Sequence, residues 1–228
     1  MSAKQNIISI IVPVYNESES IGLLIKEVIN IMNANQFIFE IIVINDGSSD
    51  STMNVLGNLS LEIEELIVIN LRKNYGQTAA MAAGFDNANG EILITLDGDL
   101  QNDPNDIPNL IKSIDEGYDL ICGWRFERKD KLINRRMPSK IANRLIGKVT
   151  GIRLHDYGCS LKAFKKEIAN DIKLYGELHR FLPVLANIEG ARITEVKVNH
   201  RARQFGASKY GIDRTFRVLM DLLTVWFM

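Results

Sequence analysis

The chain has 228 residues, 46% of them hydrophobic and 24% charged, with a formal net charge of -1 at pH 7. That is enough to bury a sizeable core in one large domain, or in one domain with an appendage. The balanced charge provides no global field of the kind that gathers nucleic acid, and no apolar run reaches the roughly 20 residues of a membrane span.

Ile7–Val14 is an unbroken β-branched apolar run, the pattern of a strand covered on both faces, and Pro13 suits its end better than a central ladder position. Ser18 or Ser20 can cap a helix running to about Met32, with Ile21, Leu24, Ile25 and Val28 on one face. Phe37–Asn45 reads as the second strand, followed by a turn and a helix capped by Asp50 or Ser51. Glu65–Asn70 is a short third strand, Ala-rich Gly76–Ala88 a tightly packed helix, Glu91–Leu96 the fourth strand, Pro104–Glu116 a helix and Tyr118–Gly123 the fifth strand. This alternation predicts an α/β fold with a doubly wound, Rossmann-like, mostly parallel sheet flanked by helices.

After Arg125 the pattern weakens. A basic loop leads to a helix near Ser139–Val149, then a Gly-rich segment at Gly151–Cys159, a short strand, helices near Lys165–Asp171 and Leu178–Ile188, and a late strand at Thr194–His200. Residues 1–123 read as a nucleotide-binding half and 124–210 as an acceptor half of the same domain. The apolar stretch Val218–Met228, preceded by Arg214 and Arg217, fits either a core helix or an interfacial helix with basic and aromatic anchors. Residues 211–228 are expected to form a juxtamembrane helix cut short of membrane spans.

The most informative stretch is Ile92-Leu-Ile-Thr-Leu-Asp97-Gly-Asp99-Leu-Gln101. Extended residues two apart point the same way, so Asp97 and Asp99 aim at one point beyond a strand's carboxyl end, where open α/β sheets keep their ligands. Two carboxylates cannot cage a hard cation alone. They suit Mg²⁺ or Mn²⁺ that completes its shell with water and substrate phosphates. An Asp-Gly-Asp turn that merely closes a strand would read the same way.

Two further loops, Val14-Tyr-Asn-Glu17 and Asn45-Asp-Gly-Ser48, also follow strands and would converge on the same edge. Asp46 could accept from a base N–H or make an Asx turn. Tyr15 could stack on a base, and Glu17 could hold ribose hydroxyls or serve a helix N-terminus. Rival motifs are missing: no Gly-x-Gly-x-x-Gly follows the first strand, and there is no P-loop and no Gly-x-Ser-x-Gly elbow. His155, His179 and His200 lack zinc spacing, and Cys122 and Cys159 read as buried thiols. Basic residues crowd two regions, Arg125 to Lys148 and Arg192 to Arg217, which suits phosphate groups or an acidic membrane surface as well as a solvated face.

Ile11-Val-Pro-Val-Tyr-Asn-Glu17, Asn45-Asp-Gly-Ser-Ser-Asp50, Asn74-Tyr-Gly-Gln-Thr-Ala-Ala80 and Asp97-Gly-Asp-Leu-Gln-Asn-Asp-Pro104 together resemble family 2 glycosyltransferases of the GT-A fold. Arg203-Gln-Phe-Gly-Ala-Ser-Lys-Tyr210 narrows the likeness to polyprenyl-phosphate glycosyltransferases, of the dolichol-phosphate mannosyltransferase and undecaprenyl-phosphate glucosyltransferase types. The resemblance implies that Pro13, Tyr15, Glu17 and Asp46 hold the nucleoside. It assigns metal and donor diphosphate to Asp97, Asp99 and Gln101, and an active-site carboxylate to Asp156. It sets Arg125, Arg135, Arg203, Ser208 and Lys209 against the acceptor phosphate or the donor diphosphate. Asn45 departs from the acidic residue often found there.

The implied reaction moves a hexose, glucose from UDP-glucose first and mannose from GDP-mannose second, to a polyprenyl phosphate at the cytoplasmic membrane face, with inversion. An ionised lipid phosphate needs no obligatory base, so Asp156 would position groups or steady positive charge; with a hydroxyl acceptor it becomes the natural general base. A non-catalytic nucleotide-sugar-binding protein is the reading from another class. The sequence leaves open whether the chain forms a homo-oligomer.

Overall fold

The computed structural model describes residues 7–126, 147 and 151–205. The expectations for Arg135, Ser208, Lys209, most of the helix near Ser139–Val149 and the terminal helix at 211–228 therefore lie outside the described residues.

Seven strands form one sheet: β1 (Ile7–Val14), β2 (Ile38–Asn45), β3 (Leu66–Asn70), β4 (Ile92–Thr95), β5 (Leu120–Arg125), β6 (Lys162–Lys165) and β7 (Ile193–Val198). Their spatial order is β3-β2-β1-β4-β6-β5-β7. The helices are α1 (Ile21–Ala34), α2 (Thr52–Glu62), α3 (Gln77–Asn87), α4 (Ile107–Asp115), α5 (Lys166–Asp171) and α6 (Leu182–Ile188). β1 pairs in parallel with β2 and β4, β2 with β3, and β5 with β7. β6 runs antiparallel between β4 and β5. Two antiparallel steps restore the direction, so β1, β2, β4, β5 and β7 all end at one edge.

The sheet is buried on both faces because its strands are apolar on both. Along β1, Ile8, Ile10, Val12 and Val14 face a core shared with α1, α2 and α4, while Ile11 faces one shared with α3, α5 and α6. Each fully buried Ile or Leu adds about 1.5–3 kcal/mol. α3 presses hardest on the sheet. A Cβ added at Gly84 would sit 2.4 Å from Ile11 Cγ2 and 2.9 Å from Ile44 Cδ1. The usual helix-propensity gain of Gly→Ala, at most about 1 kcal/mol, is outweighed here by overpacking of about 1–3 kcal/mol. Gly84→Ala should therefore lower the denaturation midpoint in urea; a raised midpoint would mean that α3 can move away from the sheet.

Boundaries moved where local chemistry decided them. Asp50 Oδ1 accepts from Thr52 N (2.9 Å) beside the N-terminus of α2. The helix expected from Pro104 begins as a 3₁₀ turn over Pro104–Asp106, with Asp103 accepting from Asn105 N, and becomes α-helical only at Ile107. Among the described residues no helix is long and apolar enough to cross a membrane.

Candidate active site

Four loops meet at the common carboxyl edge. β1 ends at Val14 and leaves Tyr15, Asn16 and Glu17 there; Asn16 has φ 52°, and its Oδ1 accepts from Ser49 N (2.8 Å) in the loop after β2. Glu17 does two local tasks: its N–H donates to Thr52 Oγ1 (2.9 Å), and its carboxylate accepts from Ser20 Oγ (2.9 Å). Pro13 and Tyr15 are half-buried on the same strand end.

Asp46 is nearly enclosed, and both its oxygens are engaged: Oδ1 accepts from Tyr75 N (2.7 Å) and Oδ2 from Gly76 N (2.9 Å). Burial raises its pKa, while the two backbone donors act in the opposite direction. Its visible task is to clamp the loop between β3 and α3. The fit is tight enough that a Cβ on Gly47 (φ +64°) would fall 2.3 Å from the Lys73 carbonyl carbon. Asn45 is buried as well, donating from Nδ2 to Asn70 Oδ1 (2.8 Å) and accepting from Ser48 N (3.2 Å). The amide thus bridges neighbouring strands, which gives this departure from the family pattern a structural use.

The acidic turn follows β4. Leu100, buried at φ 61°, turns the chain sharply behind Asp99. Asp97 Oδ1 accepts from Gln77 Nε2 (2.8 Å) on the first turn of α3. Asp99 Oδ1 accepts from Gln101 N (3.1 Å), and its Oδ2 pairs with Arg203 Nη2 at 2.5 Å. The same guanidinium lies 3.4 Å from Gln101 Oε1. Burial raises the pKa of Asp97. Burial and then the charge of Asp97 push Asp99 up to about 6, against the pull of Arg203. The two carboxylates are hard oxygen donors in a setting that penalises their charged forms, a penalty that a divalent cation would relieve. Among the described residues no group of three or more His, Cys, Asp or Glu is arranged to hold a metal ion. The donor set fits an ion that shares its shell with substrate oxygens.

Across the edge, Arg125 at the end of β5 grips Asp156 in a fork: Nε to Oδ2 at 2.7 Å and Nη2 to Oδ1 at 2.9 Å. Gly158 N also donates to Oδ1 (3.1 Å). The two side chains are only 14% and 4% exposed, so this is a buried charge pair. It binds the Gly-rich segment to the sheet and fixes the guanidinium beside the site.

Three contributors carried no role in the sequence reading. Gln77 steadies Asp97. Lys162 is buried, and its ammonium donates to the carbonyls of Tyr157 (3.4 Å) and Cys159 while its charge favours ionised Asp97. His179 is buried with Nδ1 2.7 Å from Thr78 Oγ1, and burial first, then the charge of Arg180, lower its pKa to about 3, so the ring is neutral. Gln77 and Thr78 lie inside the quoted Asn74–Ala80 motif; Lys162 looks like an ordinary surface lysine in sequence.

Asp99 gives the site a pH signature. Its native pKa of about 6 exceeds the ordinary 3.8, so the folded chain holds that proton more tightly than the unfolded chain. Stability from this group is full below the ordinary value and declines as pH rises through about 6. A cation that binds the ionised pair reverses the decline. The gain in melting temperature from a fixed Mn²⁺ concentration should therefore grow between about pH 5 and pH 7; a gain independent of pH would remove Asp99 from the ion's shell.

A family model described as glycosyl transferase family 2 matches residues 9–173. The chain is 47% identical over 224 residues to the dodecaprenyl-phosphate galacturonate synthase of Rhizobium johnstonii, covering 96% of this chain and 66% of that protein. It is 42% identical over 218 residues to the undecaprenyl-phosphate 4-deoxy-4-formamido-L-arabinose transferase of Salmonella choleraesuis, covering 95% and 66%. The chain thus spans just under two thirds of each relative. Glucosyl-3-phosphoglycerate synthase from Mycobacterium tuberculosis, solved with Mn²⁺ and UDP-glucose, superposes with TM-score 0.72 at 16% identity over 96% of this chain and 77% of its own. A mannosyltransferase from Pyrobaculum calidifontis, solved with GDP-mannose and Mn²⁺, gives 0.69 at 17% identity over 99% and 64%. The shared fold is GT-A.

Proposed function

The chain belongs to glycosyl transferase family 2, and from that premise we propose that it moves a sugar from a nucleotide sugar to a polyprenyl phosphate, with inversion. One observation carries the choice of acceptor. Asp156, the carboxylate a hydroxyl acceptor would need as its base, is engaged in a buried fork with Arg125. A general base must reach the acceptor's proton. A phosphate monoester, with its second pKa near about 6, is already a nucleophile at neutral pH and asks only to be held.

In this reading Pro13, Tyr15 and Glu17 line the nucleoside pocket, and Asp46 shapes it by clamping the Tyr75–Gly76 loop. Asp97 and Asp99, with Gln101 beside them, would hold Mg²⁺ or Mn²⁺. When bound, the ion supplies Lewis-acid neutralisation of the leaving nucleoside diphosphate. Gln77 orients Asp97, and Ser160, Arg125 and Lys162 favour its charged form against the burial that raises its pKa. Arg203 counters Asp99 and can turn its fork to a phosphate oxygen, while Arg125 presents a guanidinium fixed by Asp156. Arg135, Ser208 and Lys209 are proposed to complete the acceptor side. Residues 1–123 and 124–210 divide donor from acceptor work in one domain, and 211–228 is proposed as a helix at the cytoplasmic membrane face.

The sugar expected from the sequence, glucose from UDP-glucose, draws no support from the relatives, which are named for galacturonate and for 4-deoxy-4-formamido-L-arabinose. A sugar of that modified kind is proposed instead. The test is a transfer assay in detergent with undecaprenyl phosphate, undecaprenol and a panel of UDP-galacturonate, UDP-4-deoxy-4-formamido-L-arabinose, UDP-glucose and GDP-mannose. A lipid-linked product should form from the phosphate and not from the alcohol, and from a modified sugar before glucose. Product from undecaprenol would overturn the acceptor assignment.

A further inference from the structure

We infer that the outer end of the catalytic edge, built from Trp124, Phe126, His155 and Lys197, is a docking surface for an anionic lipid bilayer. β7 is the outermost strand on this side of the sheet, and its Lys197 lies opposite Trp124 of β5 in register. The Trp124 ring stacks on His155 with centroids 4.0 Å apart and planes 14° off parallel, and meets Phe126 edge-on at 5.1 Å. Lys197 Nζ sits 4.1 Å from the Phe126 centroid and 5.4 Å from that of Trp124.

Scattered exposed apolar residues are ordinary. This group is unlike them in being clustered, aromatic and capped by a cation. Phe126 is 55% exposed. Lys197 is exposed and forms no ion pair among the described residues. The neighbouring carboxylate, Glu195, is already engaged by the backbone N–H of His155 (2.8 Å), the His155 ring (2.8 Å) and the backbone N–H of Asp156 (3.2 Å). The surface therefore offers rings and positive charge together, the composition suited to the wet boundary of a membrane.

Position argues for the same partner. Trp124 and Phe126 flank Arg125, the residue that grips Asp156, and all three lie where β5 ends on the catalytic edge. A bilayer resting here would bring a lipid-borne phosphate to the arginines without the acceptor leaving its leaflet. The inference rests on the proposed polyprenyl-phosphate acceptor for its purpose, and its test is kept separate.

The whole chain is co-sedimented with vesicles of phosphatidylcholine alone and of phosphatidylcholine with phosphatidylglycerol. The wild type should partition to the anionic vesicles. Phe126→Ser with Lys197→Ser should weaken that partition by at least about tenfold, since one basic residue near an anionic surface already counts for about fivefold. Leu61→Ser, which alters an 87% exposed residue on α2, should change nothing. The terminal segment is common to every variant and cancels. The melting-temperature gain from nucleotide sugar with Mn²⁺ should be the same in the double variant and the wild type, which shows a folded donor site; if the pair unfolds, the single variants are read in its place. Equal partition of double variant and wild type, or no preference of the wild type for anionic vesicles, overturns the inference. A wild type that binds vesicles but no nucleotide sugar would instead sink the proposed function.

Discussion

Asp99→Asn should reduce turnover by about 10³-fold or more, because losing a ligand to a charge-neutralising cation removes several kcal/mol of transition-state stabilisation. The fold should survive. Asp99 is a carboxylate that burial and the charge of Asp97 hold in an unfavourable ionised state above about pH 6, so the neutral amide removes a strain as well as the pairing with Arg203. Mn²⁺ affinity, followed by electron paramagnetic resonance without substrate, should fall with turnover. Wild-type Mn²⁺ affinity in a variant without activity would shift Asp99 from ion binding to the positioning of Arg203.

Arg125→Met should cost about 3–5 kcal/mol of stability, since it strands the Asp156 carboxylate in a buried setting without its counter-charge. Asp156→Leu should be harmful for the mirrored reason. Changing both should recover much of the loss, because an apolar pair of similar volume replaces an ion pair whose desolvation was costly. Activity should not recover in the double variant, because the guanidinium proposed to meet the acceptor phosphate is gone. Urea unfolding and turnover, measured on all three, separate the two effects. If Asp156→Asn lowered turnover and removed the acid limb of the pH profile while leaving stability untouched, Asp156 would be a catalytic base and the acceptor a hydroxyl.

The parts of this molecule that were readable in sequence are those whose causes are local. β1 and β2 announce themselves as unbroken β-branched runs, α1 by its 3.6-residue apolar period, and the place of Asp97 and Asp99 by the apolar run before them, although β4 ends at Thr95 and Asp99 sits in a turn rather than in extended chain. The parts that were not readable depend on contacts between distant segments. Nothing near Arg203 indicates that it will pair with Asp99, 104 positions away, and nothing near Arg125 predicts its fork on Asp156, 31 positions away. β6 is only Lys-Ala-Phe-Lys, too short for a period, and its antiparallel course between β4 and β5 is set by the strands on either side. Lys162 follows from that course: the strand carries the lysine into the sheet, where backbone carbonyls receive it. Asp46 shows the opposite lesson. Its position at the site was legible, yet the loop it clamps arrives from beyond β3, so its work as a clamp was not.

The most direct measurement is a crystal structure of the chain with Mn²⁺ and a nucleotide sugar, using the anomalous signal of manganese to place the ion. The account predicts a peak held by Asp97 and Asp99 next to the donor diphosphate, with the base against Tyr15. Manganese and diphosphate lodged away from the tip of β4 would contradict it.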